Sequence, residues 1–355
     1  MGAIFELARR DITAIIEHLQ CEDLELSLVE RLSRADNAEV VGAPEVARLI
    51  VLGALSPSRR LIAYSAAVIA LYGAFERFVE DLLESFASGY PARIPHYGEL
   101  DSTVRDQHLR LSLELAAKLA KDTLRSKLDV GQIIRNLADC MSVNPGETYV
   151  FNGEAFRVHF GNIRSAKLSE LFNAVGIPGV LANVTKVAPF SRWIHEEIVA
   201  ERLVKSDREK LAFLDDFVER RNEIAHGRPA EILSLELIDR YAQFLLALCE
   251  SLERITVDSE LADRCKQCVS IGRPVSILKK INVLTFDLSA AKVAVGDRIL
   301  VKRNNSGGLR YAEFQIVSLM VENAPRRVVT ARKKPVPLGI KVSGAPVNGE
   351  YFVKR

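Results

Sequence analysis

Residues 219–229 read ERRNEIAHGRP, a stretch dense in groups that can bind or transfer charge. Placed on a helix, Leu214, Val218, Arg221 and Ala225 succeed one another at steps of four, three and four, the apolar stripe of an amphipathic helix. Arg221 therefore faces protein, where an unpaired charge is costly. Asn222 and His226 are four apart and lie on the adjacent row. Ala225 is small and leaves room for a ligand. Gly227 suits the left-handed position after the last turn, and Pro229 prevents continuation, so His226 falls in that last turn. This cluster fits phosphodiester chemistry on RNA. Attack by a 2′-hydroxyl on its own phosphate needs a base, an acid for the leaving oxygen, and positive charge for the developing phosphorane. Histidine can fill either proton-transfer role, and a guanidinium matches phosphate oxygens with two parallel hydrogen bonds. One His and one Arg are few for the whole reaction, but two copies meeting across a two-fold axis would supply each role from a different subunit. The bland alternative is that Arg221 pairs with a buried carboxylate and His226 merely caps the helix. Arg-x4-His spacing recurs by chance, so the residues alone leave both readings open.

The elements that must position this cluster are mostly helical. Apolar residues recur at helical spacing through IFELARRDITAIIEHLQ and EDLELSLVERLSRA. A helix start is expected at LSPSRRLIAYSAAV, with Ser56 as N-cap and Pro57 at the first helical position, running to about Ser88. Another helix is expected over 101–121 with Ser102 as its cap. In 144–160, NPGETYVFNGEAFRVHF, the pair Asn152-Gly153 predicts a small β-hairpin inserted among helices. Helical periodicity returns in SAKLSELFNAVG, REKLAFLDDFVERRNEIA and EILSLELIDRYAQFLLALCESLERI. After CKQCVSIGRP the texture changes to short β-branched segments, DRILVKR, EFQIVSLMVE, RRVVTA, LGIKV and EYFVKR, separated by turn residues. The expected fold is multidomain: an all-α bundle over 1–270, with the hairpin insertion, followed by a small β-barrel over 271–355.

Composition excludes several classes. The chain has 355 residues, 48% hydrophobic and 26% charged, which suits a folded globular protein. Its longest apolar run, LIAYSAAVIALYGAF, spans 61–75, is flanked by charges and suits a buried helix better than a membrane span. The N-terminus carries Glu6, Arg9, Arg10 and Asp11 where a signal peptide needs an apolar block, so a cytoplasmic protein with no membrane partner is expected. Five cysteines do not make a disulfide framework at this length, and Cys265 with Cys268 form half a zinc site lacking its second pair. No metal or cofactor is expected. Residues 271–355 hold 16 Lys and Arg against 5 Asp and Glu, a net +11, which leaves −9 on the remainder. A basic module on an acidic body is the asymmetry expected when one part meets a polyanion. Arg326, Arg327, Arg332, Lys333 and Lys334 are the expected phosphate contacts, the alternative being a solvated charged loop.

Other chemistry falls away. HEEIV at 195–199 lacks the second histidine of a zinc-protease helix, and no Walker loop, dinucleotide fingerprint or GxSxG elbow is present. Asp215-Asp216 reads as a solvated face. Trp193 and the histidines at 18, 96, 108, 159 and 195 read as structural.

RNEIAHG at the end of one long helix and before another resembles the signature of the HEPN superfamily: Arg, a polar residue (often Asn), three variable residues, then His. The upstream YGAFERFVEDLLESF is similar to the first core helix of bacterial HEPN families linked to defence and toxin systems. The resemblance covers about 56–260. It implies an all-α bundle that dimerises and forms a metal-independent endoribonuclease site at the dimer cleft. Arg221, Asn222 and His226 carry over to that motif. The family's earlier helix often places an acid near the site, which points to Glu76; its alternative role is an ordinary surface or ion-pairing glutamate. Some HEPN domains bind RNA or protein without cleaving, often lacking the His that stands here. The C-terminal VGDRILVKR…EFQIVSLMVE…PVPLGIKVSGAPVNGEYFVKR resembles, loosely, the second-domain β-barrel of translational GTPases, which implies docking on RNA, ribosome or tRNA. A toxin-type reading also implies an antitoxin or other regulatory partner.

Overall fold

The computed structural model describes residues 2–33, 56–121, 126–142, 148–157, 161–201, 211–227, 233–289, 291–304, 308–332 and 334–354, with isolated positions 44, 48 and 51. The described helices are α1 (Ala3–Ser33), α2 (Ser56–Ser88), α3 (Tyr90–Arg93), α4 (Ser102–Ala120), α5 (Val130–Ser142), α6 (Ser165–Ala174), α7 (Val180–Val184), α8 (Ala188–Glu201), α9 (Ala212–Ala225) and α10 (Leu235–Cys265). The strands follow: β1 (Cys268–Gly272), β2 (Ser276–Leu278), β3 (Val283–Leu288), β4 (Lys292–Ala294), β5 (Arg298–Arg303), β6 (Tyr311–Val321), β7 (Ala324–Arg326), β8 (Val328–Thr330), β9 (Val336–Val342) and β10 (Gly349–Lys354). A helical region followed by a curled antiparallel sheet is what the periodicities predict. In space the chain divides into two compact units, residues 1–85 with 156–253, and residues 86–155 with 254–355.

In the first unit, α2 buries Val68, Leu71, Tyr72, Phe75, Phe78 and Val79, the row that its 3.6-residue period places on one face. By length and composition Pro57–Ser88 is apolar enough to span a bilayer, with half of its most apolar window buried in the fold. Phe190, Trp193, Phe213, Tyr241 and Phe244 form an aromatic cluster at centroid separations from 4.6 to 6.0 Å, in which the half-buried Trp193 packs as a structural residue. Glu253 of α10 accepts from the backbone N–H groups of Gly2 and Phe5, satisfying donors that the start of α1 leaves without helical partners.

In the second unit, two expectations are corrected. Asp101, not Ser102, caps α4, its carboxylate accepting from Thr103 N–H at 2.8 Å. No strand occurs among the described residues 148–157, where Gly153–Arg157 forms a 3-10 turn instead of a hairpin arm. The reason is what Asn152 does. Its backbone N–H donates to His108 Nε2 at 3.0 Å, its side-chain amide donates to Ser112 Oγ and Ile133 O, and its Oδ1 accepts from Asn136. An Asn buried on four partners is not free to form a two-residue turn. His108 is fully buried, stacks on Phe151 at 3.8 Å, and contacts Tyr97 Oη through Nδ1 at 3.0 Å. Because Nε2 accepts from a backbone N–H, the ring is neutral with its proton on Nδ1, donated to Tyr97. Burial lowers its pKa to about 4.

The sheet runs β1-β10-β5-β6-β9-β3-β2, with β7 on β6 and a separate β4-β8 pair, all antiparallel. β6 pairs β5 along its first half and β9 along its second, with a register shift between Ile316 and Ser318 that lets one long strand serve both. Gly349 allows β10 to approach β5 closely, since a Cβ there would stand 2.3 Å from Lys302 O. Alternation sends Ile299 and Val301 into the sheet's interior with Leu284, Phe286, Ile340 and Tyr351. Leu300 faces the other way, against Leu261 and Cys265 of α10. The strands β1, β2, β3 and β4 add to those the sequence predicts; β1, β2 and β4 are too short to show a period, whereas β3 alternates, with Leu284, Phe286 and Leu288 buried.

Candidate active site

α9 carries the motif. Leu214, Phe217 and Val218 are fully buried, so the stripe continues to Arg221, which is half-buried. His226 is the C-cap, its N–H bonding Asn222 O at 3.0 Å, and Gly227 takes φ 68°, the left-handed conformation its lack of Cβ allows. Pro229 lies outside the described residues. The His226 side chain is exposed.

Arg221 is held on three sides. Its Nη1 donates to Asn162 Oδ1 and to Asn222 Oδ1, each at 3.2 Å. Its guanidinium lies 4.6 Å from the centroid of the Tyr72 ring, a cation–π arrangement. Asn162 Nδ2 in turn donates to Asn222 Oδ1 at 2.7 Å, closing a three-residue ring of hydrogen bonds. The buried Nε has no hydrogen-bond partner among the described residues. Asn222, which shares a helix row with His226, uses its side chain to hold Arg221.

Glu76 enters the same cluster through Tyr72. The buried Tyr72 hydroxyl accepts from Ile163 N–H at 2.9 Å and donates to Glu76 Oε1 at 3.0 Å. Burial raises the phenol's pKa well above its ordinary value, so it remains a proton donor at neutral pH. The 161–165 segment is pinned to α9. Asp215 accepts from Ser165 N–H and Oγ, both at 2.7 Å, placing a carboxylate at the start of α6, and Arg164 pairs with Glu219. Asp216 accepts from Tyr241 Oη and Arg220. Asp215 is therefore a half-buried inter-helix anchor, not the solvated residue expected, while Asp216 keeps its exposure as it bonds Tyr241 and Arg220.

Arg221, Asn222 and Glu76 thus share one network, with His226 five residues beyond Arg221 at the end of the same helix. Tyr72 and Asn162 were missed. Tyr72 stands four before Glu76 on one helix face, a faint signal; Asn162 sits before α6 with no signal at all.

On the sheet, Arg326 ends β7, Arg327 follows it, and Arg332 and Lys334 lie between β8 and β9. All four are exposed and form no ion pair among the described residues. Lys333 lies outside the described residues. Cys265 is buried against Leu300, and no group of three or more His, Cys, Asp or Glu that could hold a metal occurs among the described residues.

A helical body with Arg-Asn-x3-His at a helix end is the pattern of the HEPN class. The family model of the RiboL-PSP-HEPN domain matches residues 48–258, more than half of the chain, and the chain belongs to that family. No curated protein and no solved structure matches it. Membership supports a role in cleaving or binding RNA.

Proposed function

We propose that this protein is a metal-independent endoribonuclease whose site is completed by a second copy of the chain, with the basic sheet binding RNA or ribonucleoprotein. One observation supports this above others: a guanidinium clamped through Nη1 and a ring face, its buried Nε without a partner among the described residues, five residues before an exposed histidine. A guanidinium so positioned is complementary to a phosphate oxygen, and pre-organised charge is where catalysis of this kind gains most.

In this reading Arg221 binds the scissile phosphate and stabilises the phosphorane. His226 of one copy removes the 2′-hydroxyl proton, and His226 of the other protonates the leaving O5′. The O2′–P bond forms as P–O5′ breaks, giving a 2′,3′-cyclic phosphate and a 5′-hydroxyl. Asn222 holds Arg221, and Glu76 fixes Tyr72 beneath it. By resemblance alone, the setting is a bacterial defence or toxin effector restrained by an antitoxin or other regulatory partner.

Purified protein is incubated with total RNA in EDTA, beside His226→Ala. Cleavage that survives EDTA but not the substitution, with cyclic-phosphate ends, is the expected outcome. Cleavage by both variants points to a contaminant, and cleavage by neither leaves the non-catalytic RNA- or protein-binding adaptor. A monomer at micromolar concentration by sedimentation would overturn the shared site.

A further inference from the structure

The second unit contains a cleft of about 740 Å³ whose walls come from α3, the end of α10, and strands β1, β4, β5 and β10. Four cations line it: Arg264, Lys292, Arg298 and Lys354. Among its described lining residues the one acid is Asp297. Asp297 accepts from Ala294 N–H at 2.8 Å within the β4–β5 turn, where Gly296 takes φ 94°. Glu313, just outside the lining, bridges Arg264 and Arg298, leaving that trio one positive charge. Lys292 and Lys354 are exposed and make no ion pair among the described residues. One wall is stiff: Arg93 is buried between the Phe86 and Tyr90 rings, pairs with Glu260 and Asp263, and its carbonyl accepts from Gln267 Nε2 at 2.6 Å.

We infer that this cleft grips the phosphodiester backbone of single-stranded RNA, and that it, more than the exposed Arg326–Lys334 stretch, is the chain's main RNA contact outside the motif. The inference rests on the RNA reading above. What the lining lacks favours a polymer over a free nucleotide. The apolar side chains among its described lining residues are those of Ala92, Ala294 and Leu300, and no aromatic ring is among these residues, so they offer a base no stacking surface. Cations without a base platform recognise phosphates in sequence, whatever bases they carry. The cations come from four different elements held by backbone pairing and α10, which sets their spacing in advance.

The test measures binding of fluorescent 12-nucleotide oligo-U and oligo-A to the full chain carrying His226→Ala, across a salt series. Lys292→Glu with Lys354→Glu is expected to weaken both RNAs about tenfold or more at moderate salt and to flatten the salt dependence by roughly 1.4 log units per log unit, two phosphate contacts' worth. Replacing Arg326, Arg327, Arg332 and Lys334 by Ala serves as the comparison and is expected to cost less. Strong loss in that set with none in the cleft variant overturns the cleft while leaving RNA binding intact. Equal loss of ATP binding and RNA binding would make the cleft a nucleotide site and overturn the backbone assignment. No binding of either RNA by the parent protein overturns both the cleft and the RNA reading. Both cleft lysines are exposed, and unchanged thermal melting of the variant confirms that lost binding is not lost folding.

Discussion

The guanidinium carbon of Arg221 lies 4.6 Å from the centroid of the Tyr72 ring, and the hydroxyl of that tyrosine is held between Ile163 N–H and Glu76. The position of the motif arginine is thus set by α2 and the segment before α6 as much as by the helix that carries it. A side chain with this many supports exposes its planar edge in one orientation, which is what recognition of a phosphate demands.

Arg221→Lys keeps the charge but loses the fork and the ring contact. Single-turnover RNA cleavage is expected to fall about 100-fold, in the range seen when one pre-organised donor is removed from a transition state. Retention of near-parental rates would show that only charge matters at this position.

Asn162→Ala removes one of the two acceptors on Arg221 Nη1 and the donor to Asn222. As a positioning change it should lower kcat roughly tenfold with KM little altered, and leave the urea midpoint near that of the parent. A fall in stability with kcat unchanged would mark Asn162 as architectural only.

Tyr72→Phe preserves the ring under Arg221 but strands the buried Ile163 N–H and frees Glu76. Leaving a buried donor unsatisfied costs about 1–3 kcal/mol, readable by urea denaturation of the two proteins. A neutral result would mean that the Ile163 segment readily finds another acceptor.

His108 titrates in the folded state at about 4, lowered by burial, against an ordinary value of 6.5. The unfolded chain therefore binds more protons between these values, and stability falls as pH drops through that window. The loss approaches about 3 kcal/mol near pH 4 and is absent above about pH 7. Comparing urea midpoints at pH 7 and pH 5, the His108→Gln variant should show a smaller difference than the parent. An equal difference would assign the acid sensitivity to other groups.

Much of the site's local geometry was legible in the chain. The apolar steps through Leu214 and Val218, the arginine on that stripe, the turn at His226 and the left-handed Gly227 all follow from helical period and backbone preference, which act over a few residues. The same holds for the strands at EFQIVSLMVE and LGIKV, whose alternation shows one buried face. Asn152-Gly153 marks where this reasoning fails, because a turn preference of that size yields to an asparagine buried on His108, Ser112, Ile133 and Asn136. Asp215 looked solvated for a similar reason: its partner, Ser165, lies 50 residues away.

The sequence by itself determined that a helix would end in Arg-Asn-x3-His and that a basic β-rich segment would follow. Only the tertiary structure decided that Tyr72 and Asn162 hold the arginine, that Glu76 belongs to its network, and that four cations line one cleft. The reason lies in range. Period and turn preference are summed over neighbours in the chain, whereas a hydrogen bond between residues 162 and 222, or a ring beneath a guanidinium 149 positions later, exists only once packing of distant apolar faces has brought them together.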